Sequence, residues 1–303
     1  MGGDPMTSLA RKLDRVLVTG AQGFIGTALV SRLRAMGHEV TAADVGAEDA
    51  PCDVTDFAQV DAIFRRTVFD TVFHCGAVSG PMVLADQPLA IWQINALGTA
   101  HVLEAARLHG AGRIVVCSTA NVYGDLTGPV DEDTLPMPTS VYAASKLAAE
   151  CAVAGYACEN GLDSIALRLS WVYGPGRRTP TELEQVLRAA LTGGTAAFSE
   201  APDDFTHYLY IDDAVEGLIC AGRASALADR VYNITSGAGV TAQHLVNIIA
   251  DLRPGFRVSL SAPQTAPAGA SIIDNRRAEQ DMGFSPITDL RAGLKKYLKA
   301  LAE

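Results

Sequence analysis

The stretch RVLVTGAQGFIG, residues 15–26, decides the fold. A short β-branched run ends in Gly20, and residues 24–37 follow with the apolar periodicity of a helix. Gly20, Gly23 and Gly26 permit, in turn, a tight bend, close approach of backbone to a pyrophosphate, and close packing of helix on strand. The helix N-terminus adds free N–H groups for the phosphates. The stretch predicts a dinucleotide-binding turn; the alternative is a tight turn without a ligand.

Strands and helices alternate over the first 170 residues. The predicted strands lie at 15–20, 39–44, 71–77, 113–119 and 164–170. The predicted helices lie between them at 24–37, 56–67, 89–110 and 140–161, and Asp56 is the expected N-cap of the second. This alternation indicates a parallel sheet that is covered on both faces.

The alternation weakens after about residue 171. Predicted helices lie at 180–194, 241–252 and 288–302, a strand followed by a helix at 206–222, and strands at 230–235 and 256–260. We therefore expect an α/β protein, with a Rossmann-type doubly wound parallel sheet and a smaller C-terminal substrate domain. The dinucleotide-binding domain is expected to comprise 1–170, with 206–235 returning to it, and the substrate domain 171–205 and 236–303.

Composition excludes several classes of function. The 303 residues carry a net charge of −10, which disfavours non-specific binding to nucleic acid or to an anionic membrane. The sequence has no run of 18 apolar residues, and its start lacks the apolar core of a signal peptide. Met6 is an alternative start, which would make residues 1–5 an addition. None of the six cysteines forms a C-x-x-C pair, so we expect free thiols in a cytoplasmic protein.

The second predicted strand ends in a carboxylate, Asp44, about 20 residues beyond the glycine turn. A carboxylate there would bond the ribose hydroxyls of an adenosine. It would also repel a 2′-phosphate, and Val45 and Gly46 supply no arginine to bind one. Asp44 therefore favours NAD over NADP; the alternative is a solvated strand end.

Seven motifs occur in order along almost the whole chain. They are Gly20-x-x-Gly23-x-x-Gly26, CDVTD (52–56), HCGA (74–77), INALGT (94–99), STANVYG (118–124), Tyr142-x-x-x-Lys146 and RLSWVYGPG (168–176). The ordered set resembles the extended short-chain dehydrogenase/reductase family, in its NAD-dependent sugar epimerase/dehydratase branch. The resemblance implies an enzyme of carbohydrate metabolism that uses NAD.

The catalytic pair implied by this resemblance is Tyr142 and Lys146. Positions four apart lie on one helix face. A phenol with a pKa near 10 is a poor base at neutral pH, and a nearby ammonium together with the positive nicotinamide favours the phenolate. Tyr142 could then take a hydroxyl proton while hydride leaves the same carbon for NAD⁺. By resemblance Lys146 bonds the nicotinamide ribose and Thr119 bonds the reacting oxygen. The alternative is an ordinary pair on an amphipathic helix.

The resemblance also assigns binding residues. Further cofactor-binding positions are Gln22, Phe24, Ile25, Asp53, Val54, Cys75, Gly76, Ala77, Asn95, Cys117, Ser118, Leu169 and Val172. Substrate-binding positions, with Thr119, are Ser79, Asn121, Ser170, Arg177, Arg178 and His207. Asn95 is expected to hold the backbone of the active site, or else to be a polar residue tolerated between helices. The two arginines either bind an anion or lie in a solvated loop.

No metal site is expected. His74 is interpreted as a core histidine with satisfied hydrogen bonds. His207, Asp212 and Asp213 together suggest metal ligands, but the two acids are expected to cap the N-terminus of a helix.

Two departures from the family pattern limit the choice of substrate. Ala120 and Asn121 stand where dehydratases of the branch carry acids, so dehydration is rejected. Thr206 stands where relatives that bind nucleotide sugars carry an arginine, and the segment QTAPAGAS (264–271) supplies no second one. A diphosphate normally needs such partners. We therefore expect a sugar, sugar acid or related hydroxy acid without a nucleotide.

Several alternatives stay open at this point. Release of NADH would make the protein a dehydrogenase and retention an epimerase, and the motifs for oxidation are the same in both. A nucleotide-sugar 4-epimerase and a non-catalytic NAD-sensing protein are the other candidates, although sensing relatives commonly lack the tyrosine or the lysine. The helices at 89–110 and 141–159 are too apolar for full exposure, and in the family that the chain resembles the corresponding pair forms a homodimer interface.

Overall fold

The computed structural model describes residues 11–125, 128–261 and 271–303. The predictions for the first ten residues lie outside this range, as does the argument from QTAPAGAS apart from the backbone of its last residue.

A six-stranded parallel sheet forms the centre of the molecule. Its strands are β1 (Arg15–Thr19), β2 (Glu39–Ala43), β3 (Thr71–His74), β4 (Arg113–Thr119), β6 (Asp163–Leu169) and β11 (Val231–Ile234). The order across the sheet is β11-β6-β4-β3-β1-β2, and all the pairings are parallel. β2 pairs with one edge of β1 and β3 with the other, so the direction in which strands are added reverses after β2. The crevice between β1 and β3, at the carboxyl ends of the strands, is where ligands bind in such sheets.

Short two-stranded pairings surround this sheet. Their strands are β5 (Gly128–Val130), β7 (Trp171–Tyr173), β8 (Thr195–Phe198), β9 (Phe205–Thr206), β10 (Tyr208–Tyr210), β12 (Val240–Thr241), β13 (Arg257–Leu260) and β14 (Ser271–Ile273). They pair as β5–β14, β7–β10, β8–β13 and β9–β12. The sequence indicated β10 and β13 but not most of the others, because two to four residues are too few to show a periodicity.

Helices pack on the large sheet and on the short strand pairs. They are α1 (Phe24–Ala35), α2 (Phe57–Phe64), α3 (Pro88–Trp92), α4 (Gly98–Leu108), α5 (Val141–Asn160), α6 (Glu182–Thr192), α7 (Ile211–Arg223), α8 (Ala242–Leu252), α9 (Arg276–Met282) and α10 (Leu290–Ala302). Within β1, Val16 and Val18 belong to one apolar core and Leu17 to another. This alternation explains why the strand is apolar at every position, as a strand buried on both faces must be.

The helix that carries Tyr142 has a defined start and end. The Ser140 side chain accepts a hydrogen bond from the backbone N–H of Ala143 at 3.1 Å, and Gly161 ends the helix with φ +67°. A serine N-cap and a left-handed glycine are the preferred residues at these two places. Tyr142 therefore lies in the first turn, next to the carboxyl ends of the strands. The predicted cap of α2 is also confirmed, since Asp56 accepts from the N–H of Ala58 at 2.9 Å.

The acids at the start of α7 do not act as expected. The N-cap position is Tyr210, without a side-chain cap. Asp213 is buried and accepts from the backbone N–H groups of Ile287 and Thr288 at 3.2 and 3.0 Å. The prediction that it caps α7 was wrong, because its carboxylate instead satisfies the loop before α10.

Candidate active site

The glycines of the first turn meet two different demands. Gly20 has φ +68°, and a Cβ there would lie 2.4 Å from the backbone nitrogen of Gly76. A Cβ on Gly26 would lie 2.0 Å from the carbonyl oxygen of Gly20, so neither position accepts a side chain. A Cβ on Gly23 would meet only the Gly20 oxygen, at 3.1 Å, and Gly23 lines the clefts on both sides of the turn. Two glycines thus shape the turn, and the third leaves its surface open to a ligand.

Asp44 is fixed against this turn. Its Oδ2 accepts a hydrogen bond from the backbone N–H of Gln22 at 3.0 Å, and the Gln22 side chain donates to the carbonyl of Gly46 at 2.9 Å. Gln22 therefore positions the carboxylate and is absent from the lining of either cleft. Asp44 itself lines the cleft, where its second oxygen can accept from ribose hydroxyls.

Two clefts meet at the carboxyl end of the sheet. The first, of about 940 Å³, runs from Asp44 past Asp53 and Val54, and the second, of about 970 Å³, contains the predicted catalytic residues. Both are lined by Gly23, Cys75 and Ala77, so they form a continuous groove across the switch point of the sheet. A groove with an open glycine turn at its middle and a carboxylate at one end fits a dinucleotide.

Most of the predicted residues line this groove. Beyond those already placed there, they are Gly20 and Gly76 in the first cleft and Phe24, Ile25, Gly26, Ser79, Cys117, Ser118, Thr119, Asn121, Tyr142, Lys146, Leu169, Ser170, Val172 and Arg177 in the second.

Tyr142 is buried at the wall of the catalytic cleft. Burial raises the pKa of its phenol; a hydrogen bond from the Thr119 hydroxyl and the nearby Arg177 lower that pKa, whereas Cys117 raises it further. Arg177 is thus one cation that favours the phenolate, and Lys146, which the sequence pairs with Tyr142, lines the same cleft. Thr119 is held in turn, because its Oγ1 accepts from the N–H of Asn121 at 3.2 Å.

Lys146 lies deeper in the cleft, and its side chain is only 3% exposed. Burial lowers the pKa of its ammonium, and Cys117, Cys75 and Glu150 raise it again. The two thiols are adjacent, with their sulfur atoms 3.6 Å apart at the ends of neighbouring strands. Lys146 is therefore placed to bind a group on the floor of the groove, as the ribose role requires.

Asn95 reaches the site through an irregular helix. The predicted helix at 89–110 is interrupted by a π-helical turn, Gln93–Leu97, which directs Asn95 into the interior. Its Oδ1 accepts from the backbone N–H of Val78 at 2.8 Å, and its Nδ2 donates to Ser145 Oγ at 3.0 Å. Ser145 Oγ donates to the carbonyl of Tyr142 at 2.8 Å. Asn95 lines neither cleft; it joins the loop after β3 to the first turn of α5.

Arg177 lies where the groove opens towards the C-terminal region. Its guanidinium is 5.8 Å from the centre of the Phe24 ring and 5.6 Å from that of Trp171. Nη1 donates to the carbonyl of Val172 at 3.3 Å, and Nε is buried with no hydrogen-bond partner in the described ranges. Burial lowers the pKa of Arg177, and the groups that raise it are Tyr142 and Tyr297; no acid contributes in the described part of the chain.

Three other predicted positions are placed elsewhere. Arg178 is exposed and lies outside the lining of both clefts. His207 is buried, and its Nε2 accepts from the N–H of Ile273 at 3.3 Å, which ties β14 to the chain before β10. His74 is the predicted core histidine: its two ring nitrogens meet the hydroxyls of Thr19 and Thr99 at 2.7 and 3.1 Å, and burial, with Lys146 nearby, lowers its pKa to about 3.

Sequence reasoning missed several lining residues. Val78, Gly80, Pro81, Met82 and Trp171 contribute to the catalytic cleft. The first four belong to the loop after β3, and its place at the switch point would have been the signal for it.

The part of the chain that the structure describes contains neither a metal-binding cluster nor a membrane-spanning helix. It contains no group of three or more His, Cys, Asp or Glu residues placed to hold a metal ion. Among the same residues, no helix combines the length and apolar character needed to cross a bilayer.

A dinucleotide groove that ends in a buried tyrosine defines an NAD-dependent enzyme of the Rossmann type. The chain belongs to the NAD dependent epimerase/dehydratase family, whose model matches residues 16–235. A UDP-glucose 4-epimerase of Mycolicibacterium smegmatis is 30% identical over 94% of this chain and 97% of its own length.

Solved structures of similar proteins support the same fold and family. MoeE5, in complex with UDP-glucuronic acid and NAD, is 31% identical with a TM-score of 0.82, over 95% of this chain and 99% of its own. The UDP-glucose 4-epimerase of Thermotoga maritima, with UDP-glucose, is 25% identical with a TM-score of 0.86, over 95% of this chain and 98% of its own. The fold, the family and the use of NAD were thus predicted correctly from the ordered motifs.

Proposed function

We propose that this enzyme transfers hydride at a secondary alcohol of a sugar or sugar acid that carries no nucleotide, with Tyr142 as the base. The observation that supports the proposal is the setting of the Arg177 guanidinium. Its guanidinium shares the cleft with Tyr142, is partly buried, and has no acidic partner among the residues described. A buried cation without a counter-ion is costly, and a substrate carboxylate would supply a bidentate partner.

Each chain residue then has one task. Arg177 holds the carboxylate and so orients the substrate over the groove. When substrate binds, the Thr119 hydroxyl, which donates to Tyr142 in the free protein, donates to the reacting oxygen instead, and Tyr142 takes the proton of the substrate hydroxyl. Lys146 binds the cofactor ribose from below, and Asn95 keeps the surrounding backbone in place. When bound, NAD⁺ supplies a hydride acceptor and a positive ring that favours the phenolate.

The same region argues against a diphosphate. Thr206 stands at the position for which the family pattern expects an arginine, and the lining beyond Arg177 contains the acids Glu182 and Glu200. Dehydration is also disfavoured, since Ala120 and Asn121 offer no acid to expel a hydroxyl.

The second candidate is a nucleotide-sugar 4-epimerase. The relatives support it, because the M. smegmatis protein named above is a UDP-glucose 4-epimerase and MoeE5 was solved with UDP-glucuronic acid. Its oxidation step would use the same Thr119, Tyr142 and Lys146, and its product would be the inverted sugar without net NADH.

A substrate panel separates the two candidates. Free sugars, sugar acids and UDP-sugars are incubated with NAD⁺, and NADH absorbance and product stereochemistry are followed. Net NADH from a free sugar acid is the expected result. Inversion of a UDP-sugar without net NADH would favour the second candidate and contradict the first.

We further propose the two-domain division given by the sequence, a homodimer and a cytoplasmic location. The return of β11 to the large sheet and the packing of α7 on α1 support the assignment of 206–235 to the first domain. All six cysteines are free thiols, which suits a reducing compartment.

A further inference from the structure

A third cavity, which we call the distal cavity, opens beyond Arg177. It encloses about 630 Å³ and shares Met82, Trp171 and Arg177 with the catalytic cleft, while Glu182, Glu200 and Tyr208 lie among its other lining residues. A substrate whose carboxylate binds Arg177 therefore has space on both sides of that contact.

Glu200 is the acid in this cavity whose bonding capacity is unused. Its Oε2 is buried and has no hydrogen-bond partner within the described ranges. The neighbouring acids are bonded locally, since Glu182 accepts from the N–H and hydroxyl of Ser199 at 2.8 and 2.6 Å, and Asp204 accepts from the N–H of Ala201 at 2.7 Å. Neighbouring groups thus hydrogen-bond Glu182 and Asp204, whereas Oε2 of Glu200 is left without a partner in the described ranges. A buried acceptor without a partner is costly, so a ligand that donates to it would be favoured.

The charges around Glu200 favour a ligand with hydroxyl groups. Burial, with Asp204 and Glu182 nearby, raises the pKa of Glu200 to about 7. Tyr208 faces the same group and stays neutral, because burial and Glu200 raise its pKa. Arg177 is the cation in the described lining of this cavity, and no ion pair between it and Glu200 is found among the described residues. A hydroxyl can donate to Glu200, whereas a phosphate would meet carboxylates.

We propose that Glu200 is a specificity-determining residue, which binds hydroxyl groups at the end of the substrate remote from the reacting carbon and excludes phosphate from the distal cavity. This inference rests on the proposed function and deepens it: the substrate class becomes polyhydroxy acids with a free, unphosphorylated distal end.

The test compares two probes that differ only in the nucleotide. Binding of glucuronate and of UDP-glucuronate to the NADH-loaded protein, in which neither can be oxidised, is measured by calorimetry at pH 8. Glu200→Gln keeps the size of the side chain and removes its charge. We expect the ratio of the dissociation constant for glucuronate to that for UDP-glucuronate to be at least tenfold higher in this variant than in the wild type.

Asp203→Asn is the matched control. It removes the same charge three residues away, from an exposed side chain outside the lining of the cavity, and should leave the ratio of the two dissociation constants within twofold. Glu200→Ala, with a melting curve for each variant, separates a change of specificity from misfolding. With the substrate found active in the panel, both Glu200 variants should raise KM and leave kcat unchanged.

The pH gives a second readout. Between pH 8 and pH 6 the wild-type Glu200 becomes neutral, so the affinity for UDP-glucuronate should rise, and Glu200→Gln should lack this rise. Arg177 stays protonated over this range, and the diphosphate does not titrate.

The outcomes distinguish this inference from the proposed function. Failure of the proposed function appears in the wild type, as absence of NADH from any free sugar acid. The inference is overturned if Glu200→Gln leaves the ratio unchanged, or if the wild type at pH 8 binds UDP-glucuronate as tightly as glucuronate.

Discussion

At the scale of single residues, the proposed mechanism depends on how far the pKa of Tyr142 is lowered, because only the phenolate can take the substrate proton. Burial raises the pKa of the phenol and outweighs Thr119 and Arg177, which lower it, and the positive ring of bound NAD⁺ would lower it further. In the proposed function Arg177 would therefore have two effects, since it would bind the substrate carboxylate and it also favours the phenolate.

Replacement of Arg177 by methionine should reveal both effects. We expect KM for a sugar acid to rise at least tenfold, and the acid limb of the kcat/KM profile to move to higher pH. The sign follows because the active form is deprotonated and loss of a nearby cation raises the pKa of Tyr142. Steady-state kinetics from pH 6 to pH 10 measure both quantities. Arg178→Met is the control, and an equal effect there would contradict the role of Arg177.

The sequence predicted the residues of local motifs well. Gly20, Gly23, Asp44 and Tyr142 each lie in a turn or at an element end whose position follows from local patterning. The proximity of Arg177 to Tyr142 was not predictable in this way, because 35 positions separate them and only tertiary packing brings them together.

At the scale of elements, the π-helical turn Gln93–Leu97 is the feature that the sequence did not reveal. Its apolar residues fit an uninterrupted helix, and only the buried partners of Asn95 explain the extra residue in the turn. Such turns often occur at functional sites, and here it joins the loop after β3 to α5.

Replacement of Asn95 by leucine should weaken that junction. The N–H of Val78 would be left without a partner, which costs about 1–3 kcal/mol for a buried group, and the Ser145 hydroxyl would keep only its bond to the carbonyl of Tyr142. We expect a lower free energy of unfolding in urea and a weaker affinity for NAD⁺, because Val78 and its neighbours line the groove. His109→Leu, which removes a polar contact to Asp61 at the end of the same helical segment and outside both clefts, is the control. Unchanged NAD⁺ affinity in Asn95→Leu would contradict the positioning role.

At the scale of the whole molecule, one helical surface remains apolar in the single chain. Leu97 and Leu108 are 48% and 51% exposed and lie three turns apart, so they share one face beside α5. The sequence predicted that the helices at 89–110 and 141–159 are too apolar for full exposure. The assembly that would cover them does not follow from the sequence of a single chain.

A homodimer through this face is the expected assembly. Leu97→Arg should give a monomer by light scattering coupled to gel filtration, since a cation buried without a partner at an interface is strongly unfavourable. Ile287→Arg is the control, because Ile287 is 90% exposed on a loop of the C-terminal region. A dimer that persists in Leu97→Arg would exclude this face.

The most direct test of the account is the pre-steady-state formation of NADH by wild-type enzyme and by Tyr142→Phe, with the sugar acid that the panel identifies. The variant should bind NAD⁺ normally but form NADH at least a hundredfold more slowly than the wild type, with no rise of the rate with pH. NADH formation by Tyr142→Phe at the wild-type rate would show that this phenol is not the base, and the mechanism proposed for this site would be wrong.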